Sequence, residues 1–289
     1  AAERRGLRMI AGKVLMDRHA PAALSDTAKS AYDDSKALIA RWHGRGRLAY
    51  AVTPRFAATS TPEQLAAAGA LVGLYPGIYV QTHLAETQEE IAWVKRLYPD
   101  ARDYLDVYAR HGLVGRRSIF GHGIHLADDA WQRLFDAGAA LAHCPTSNNF
   151  LGSGHFRIGD AKRAPRPVRV ALATDVGGGT TLSMLATMNE AYKVARHTGF
   201  ALTAAHALWL ATRGAAQALD LEGVIGGLEP GHDADVAVLD LAATPLLRYR
   251  LPFCDSIDEV LAVLMMLGDD RAIRATWVAG RLAHERAPD

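Results

Sequence analysis

Residues 78–86 read IYVQTHLAE. The β-forming residues Ile78, Tyr79, Val80 and Thr82 run into His83, and Glu86 follows three positions later. An apolar run this short, with little polar alternation, reads as a parallel strand covered on both faces. Outward in both directions the same kind of run recurs: Leu7–Leu15 (LRMIAGKVL), Leu48–Thr53 (LAYAVT), Ser118–His122 (SIFGH), Ala140–His143 (ALAH) and Val168–Thr174 (VRVALAT). Helical patterns lie between them, over Thr27–His43, Thr61–Leu74, Thr87–Leu97, Ala101–His111 and Asp128–Ala137. Strand, helix, strand, repeated, implies parallel strands joined by helical crossovers. A closed barrel of this kind wants eight strands. The expected fold is therefore an α/β, TIM-like barrel that is incomplete here, with six strands visible.

A further helix is expected over Leu202–Leu219, after which composition changes. EGVIGGLEPGHDADVAVLDL is glycine-rich and ends in an alternating strand, Asp235–Leu241; a helix over Asp255–Leu267 and a strand-like piece, Ala275–His284, follow. The expected division is a partial barrel over residues 1–221 and part of a small β-rich subdomain over residues 222–289.

The chain has 289 residues, with 32 Lys plus Arg against 31 Asp plus Glu, so its formal charge is +1. That balance gives no electrostatic footprint for nucleic acid. Hydrophobic residues at 49% and charged residues at 22% fit a globular chain. No apolar run reaches the ~20 residues of a membrane helix, and AAERRGLRMIAG does not read as a signal peptide. Two cysteines, Cys144 and Cys254, form no disulfide framework, so a reducing cytoplasm is expected.

The strand ends carry the chemistry. They hold Arg55-Phe56, His83 with Glu86, His122, His143 and Asp175. In a parallel barrel all such ends lie on one face, so Arg55, His83, Glu86, His122, His143 and Asp175 are expected to converge. A lone histidine at a strand end is usually a hydrogen-bonded structural residue. Two histidines and two acids at four strand ends are harder to absorb, because buried charge must be paired or bound to metal. His125, three residues after His122, reads instead as the start of a loop. Imidazole and carboxylate donors suit zinc or iron(II), which would lower the pKa of a held water to about 7. One acid could then take the water's proton and another could serve a leaving group. The run Gly177–Gly179 lacks the GK[ST] ending of a phosphate loop.

QTHLAE, FGHG, AHCPTSN and ATDVGGG resemble the amidohydrolase superfamily. VTPRF around Arg55 and GDDR at 268–271 narrow the resemblance to its guanine deaminase branch, over nearly the whole chain. The resemblance implies a barrel with one divalent metal, zinc first and iron second, held from strands one, five, six and eight. Counting back from Asp175 as strand eight puts His83 on strand five and His122 on strand six. On that basis His83 and Asp175 are metal ligands, and Asp175 also takes the proton of the attacking water. Glu86 protonates the ring nitrogen and the departing amine, and His122 orients and polarises the nucleophile. Arg55 and Phe56 bind the purine, with His143 and Asn148 as supports behind the site.

Implied too are a small-molecule purine substrate, no nucleic acid or membrane partner, and a homodimer. The family's strand-one His-x-His pair has no counterpart in residues 1–289, so a fragment is expected, with a gap beside Leu7–Leu15 and Val168–Thr174. Two other readings stand beside this one. The first is a related enzyme acting on another amino-purine, a triazine or cytosine. The second is a non-catalytic scaffold.

Overall fold

The computed structural model describes residues 1–287. It divides into two compact units: residues 1–142 with 164–169, and residues 143–163 with 170 onward.

The first unit opens with a short helix, α1 (Ala2–Arg5), and two short strands, β1 (Met9–Ala11) and β2 (Val14–Leu15). Then α2 (Ala28–Trp42), β3 (Leu48–Pro54), α3 (Pro62–Leu74) and β4 (Tyr79–Leu84) alternate, followed by α4 (Gln88–Leu97) and α5 (Tyr104–Ala109). Next come β5 (Ser118–His122), α6 (Asp128–Asp136) and β6 (Ala140–His143). All strand pairs here are parallel, as the crossover pattern requires. The helices begin where side-chain caps allow. Thr27, Thr61, Thr87 and Asp103 each accept from an amide three residues on, and Pro62 occupies a first-turn position that needs no amide hydrogen. Val52, Leu65, Leu71, Val80, Leu84, Phe120, Leu134 and Leu141 are buried.

The run Leu7–Leu15, expected as one strand, is two. Gly12 lies between them, so close to β3 that a Cβ there would stand 1.7 Å from the Ala51 carbonyl oxygen. β1 and β2 both pair with β3, β1 at its start (Met9 opposite Leu48) and β2 at its end (Val14 opposite Thr53).

The second unit begins at the end of β6 and contains α7 (Pro145–Leu151), α8 (Ile158–Ala161) and most of β7 (Arg169–Leu172). The Ala173 amide donates to the His143 carbonyl at 2.9 Å, carrying the parallel series on from β6 to β7. The strand order runs from β1 to β7, and the series is open: an incomplete TIM-like barrel of six parallel positions, with β1 and β2 sharing the first.

After β7 comes α9 (Met184–His197), which the strand–helix reading did not anticipate. The expected helix over Leu202–Leu219 is two, α10 (Ala204–Ala211) and α11 (Arg213–Ala218), broken at Thr212 with φ −125° and ψ −96°. The tail holds β8 (Val236–Leu239), α12 (Pro245–Arg250), α13 (Ile257–Leu267), β9 (Ile273–Val278) and β10 (Arg281–Glu285). The last two divide the expected Ala275–His284 strand into a hairpin. Its turn residues, Ala279 and Gly280, have φ of 49° and 76°, as a tight antiparallel turn demands. β8, β9 and β10 form a three-stranded antiparallel sheet, and Leu247, Val263 and Leu264 form a core with Leu239, Val260 and Leu267 around it. No helix among the described residues is long and apolar enough to cross a membrane.

Candidate functional site

His83 ends β4 and His122 ends β5. The register sets His83 opposite Gly121 and Leu84 opposite His122. Strict alternation would send the His122 side chain to the face that Leu84 occupies. Its φ of 68° breaks the alternation. The two imidazoles stack instead, with centroids 5.3 Å apart and planes 22° from parallel. Gly123 follows with φ 61°, and its amide donates to the Leu84 carbonyl at 2.8 Å.

Ala85, with φ 50°, turns the chain just past His83. Its carbonyl accepts from the amides of Ile124 and His125, each at 3.1 Å, so the turns after β4 and β5 hold each other. Glu86 follows, and its Oε2 lies 3.5 Å from His122 Nε2. The His122 side chain is 2% exposed and Glu86 18%, so this contact sits largely out of water. One turn further on, the Glu90 carboxyl is pushed up, first by burial; a Tyr104 hydrogen bond opposes this and the Glu86 charge adds to it.

His83 Nδ1 lies 2.6 Å from the Arg55 carbonyl oxygen. A carbonyl can only accept, so the proton is on Nδ1. In the neutral ring Nε2 is then the lone-pair nitrogen, the tautomer a divalent metal takes. A neutral imidazole with an Nε2 lone pair to donate fits a divalent metal ion.

Arg55 is held as the site requires. Its amide donates to the Leu15 carbonyl at 3.1 Å, and its own carbonyl also accepts from the His83 amide at 3.2 Å. The guanidinium carbon lies 5.0 Å from the Phe56 ring centroid, and Phe56 meets His83 edge-on at 6.4 Å. Arg55 is exposed and Phe56 half-buried. An open cation beside an aromatic face suits a flat, carbonyl-bearing ring.

Sequence reasoning missed Tyr108, which is fully buried on α5. Its hydroxyl donates to the His83 carbonyl at 2.8 Å and accepts from the Ala57 amide at 2.9 Å. Nothing in the sequence separates this tyrosine from an ordinary core residue on a helix face. Arg55, Phe56, His83, Glu86 and His122 are thus brought together within the first unit.

Asp175, His143 and Asn148 lie in the second unit. Asp175 has φ 47°, and its carbonyl accepts from the Gly179 amide at 2.5 Å, closing a tight loop. A Cβ at Gly179 would stand 1.9 Å from the Thr174 carbonyl oxygen, so only glycine fits this turn. His143 stacks on Phe156 at 4.7 Å. Asn148 is buried in α7, its amide donating to the Cys144 carbonyl at 2.9 Å. The same unit carries an open cleft of about 630 Å³ bordered by Asn149, Asn189, Glu190, Lys193 and Asp269.

A model of the amidohydrolase family matches residues 1–283. Guanine deaminase of Escherichia coli K12 is 51% identical over 286 residues, which cover 99% of this chain and 65% of that protein. The chain thus spans just under two thirds of that relative's length. A solved structure of E. coli guanine deaminase superposes with a TM-score of 0.97 at 51% identity, covering 99% of this chain and 67% of the other. Guanine deaminase from C. acetobutylicum, solved with guanine bound in its active site, gives 0.85 at 28% identity, covering 96% and 66%.

Proposed function

Since the chain belongs to the amidohydrolase family, we propose that it serves the hydrolytic deamination of guanine to xanthine and ammonia. In that reaction a water oxygen bonds to the amine-bearing ring carbon, the carbon–nitrogen bond breaks, and two protons move to nitrogen. The observation that carries the reading is the contact between His122 Nε2 and Glu86 Oε2 at 3.5 Å, beside the stacked His83 ring. It puts an acid next to an imidazole in a largely dry rim, the arrangement that general acid–base transfer needs.

His83, through Nε2, and Asp175, through its carboxylate, would hold the divalent metal, zinc in preference to iron. When bound, such a metal supplies a water nucleophile at neutral pH. Asp175 would accept the first proton that such a water gives up. Glu86, in its acid form, delivers its proton to the ring nitrogen, takes up the attacking water's second proton and delivers it to the departing amine, and regains its own proton from Asp175. His122, held against Glu86, orients the attacking oxygen. Arg55 donates to the exocyclic oxygen of guanine, and Phe56 flanks the ring. His143 and Asn148 support the rim from behind. The cytoplasm as the site of action, a homodimer, and the division into a partial barrel (1–221) and a β-rich part (222–289) belong to the same proposal. Cys144 and Cys254, both free thiols, support the reducing compartment.

The test is ammonia release from guanine by the protein and by Glu86→Gln, with metal content measured on both. The expected outcome is equal metal in the two preparations and a turnover ~10²–10⁴-fold lower in the variant, the usual weight of a positioned acid. Normal turnover by Glu86→Gln would remove Glu86 from the chemistry. Ammonia from a triazine or another amino-purine in preference to guanine would reassign the substrate.

A further inference from the structure

The Phe56 ring is built into a larger aromatic assembly. It meets Trp93 of α4 edge-on, with centroids 5.8 Å apart and planes at 73°. Trp93 in turn meets His19 at 5.2 Å and 61°. His19 follows β2 with φ 51°, a left-handed conformation that a non-glycine residue adopts only when its surroundings hold it there.

Polar contacts bind the same three segments. The Asp17 carboxylate accepts from the Thr61 amide at 2.7 Å and from the Thr61 hydroxyl at 2.5 Å. The amides of Asp17 and Arg18 donate to the Thr59 carbonyl at 3.0 and 3.3 Å. The Arg18 guanidinium donates to the Ala57 carbonyl at 3.0 Å and lies over the Tyr98 ring at 4.9 Å. The Tyr98 hydroxyl donates to the Ser60 carbonyl. Residues 17–19 and 93–98 thus grip the loop 56–61 from two sides.

We propose that Trp93 is a positioning residue, the centre of a clamp of segments 17–19, 56–61 and 93–98 that fixes the Phe56 ring as the wall for a flat heteroaromatic substrate. The proposal rests on the reading of Arg55 and Phe56 as the purine-binding pair. A ring met edge-on by a second ring is confined in its rotation. Without Trp93 one side of Phe56 opens, the ring gains conformations, and ordering it again weakens substrate binding. None of these groups touches the breaking bond, so the effect falls on KM and spares kcat.

The experiment compares the protein with Trp93→Leu, Trp93→Phe and His19→Gly. It follows amide hydrogen exchange over residues 56–61 together with guanine kinetics. In Trp93→Leu the amides of Ala57, Thr59, Ser60 and Thr61 should exchange roughly tenfold faster. Its guanine KM should rise about fivefold to tenfold, with kcat within about twofold of the parent. Trp93→Phe keeps a ring and should restore both. His19→Gly relieves the left-handed strain while deleting the outer ring, so it folds readily and should shift both in the same direction by less. Unchanged exchange in both Trp93→Leu and His19→Gly overturns the clamp. Faster exchange with a fall in kcat at constant KM overturns the positioning role. A parent protein without guanine turnover overturns the functional reading alone, and the exchange result then decides the clamp.

Discussion

Tyr108→Phe deletes a single oxygen atom. The ring contacts with Tyr104 at 5.6 Å and Phe120 at 5.8 Å survive it. Lost are the acceptor of the Ala57 amide at 2.9 Å and a donor to the His83 carbonyl at 2.8 Å. Tyr108 and Ala57 are both at 0% exposure, so water cannot take over. A buried amide left without an acceptor costs about 1–3 kcal/mol, and the weakened carbonyl adds to that. Two relaxations act the other way. The variant no longer buries a hydroxyl, and the Thr82 hydroxyl, 3.0 Å from the lost oxygen, still reaches the Arg55 carbonyl at 3.2 Å. The expected net loss is about 2 kcal/mol, or roughly a 30-fold larger unfolded population. Urea unfolding followed by tryptophan fluorescence measures it, as a lower midpoint at unchanged slope. A loss below about 0.5 kcal/mol would show that the hydroxyl does not anchor the ends of β3 and β4, and the account of how His83 is held would fall with it.

Two further predictions follow from packing and burial. Gly12→Ala puts a methyl 1.7 Å from the Ala51 carbonyl oxygen; it should lower unfolding stability by more than about 2 kcal/mol in the same assay, through displacement of β1 or β2. Burial pushes the Lys162 ammonium down to about 8. A base depressed in the folded state binds fewer protons there than when unfolded, so stability should rise as pH climbs through about 8 toward the ordinary lysine range. Lys162→Met should remove that rise, and parallel stability–pH curves for the two proteins would contradict it.

The strand series was legible, and candidate site residues stood out in it, because a parallel barrel makes polarity rare along strands. A His or Asp at the end of an apolar run therefore stands out, as His83, His122 and Asp175 do. Helix starts were legible through Thr27, Thr61 and Thr87, whose hydroxyls cap the first turn. What escaped is set by backbone approach and not by residue type. The break at Gly12 comes from contact with a strand that lies 39 positions away (51 − 12 = 39). The break at Thr212 has no proline or glycine at the residue itself; Gly214 follows, where a Cβ would stand 2.6 Å from the Trp209 ring. The helix α9 has a buried face of Leu185, Met188, Ala191 and Val194, partly alanine and so weak as a hydrophobic signal. The reorientation of His122 is invisible in sequence, since alternation predicts the other face.

That reorientation bears on any attempt to transplant this chemistry. Two adjacent strand tips, at Ala85 and at His122, leave the extended region to place Glu86 and an imidazole beside His83. Copying the letters THLAE and GHG onto straight strands would deliver the right atoms to the wrong side of the host sheet. Valine or isoleucine at position 85 would do similar damage from within, because branching at Cβ resists the left-handed conformation. The heritable unit at this rim is a pair of bends as much as a set of functional groups, and a library that randomises side chains while preserving those bends should keep Glu86 and the two imidazoles together more often than one that does the reverse.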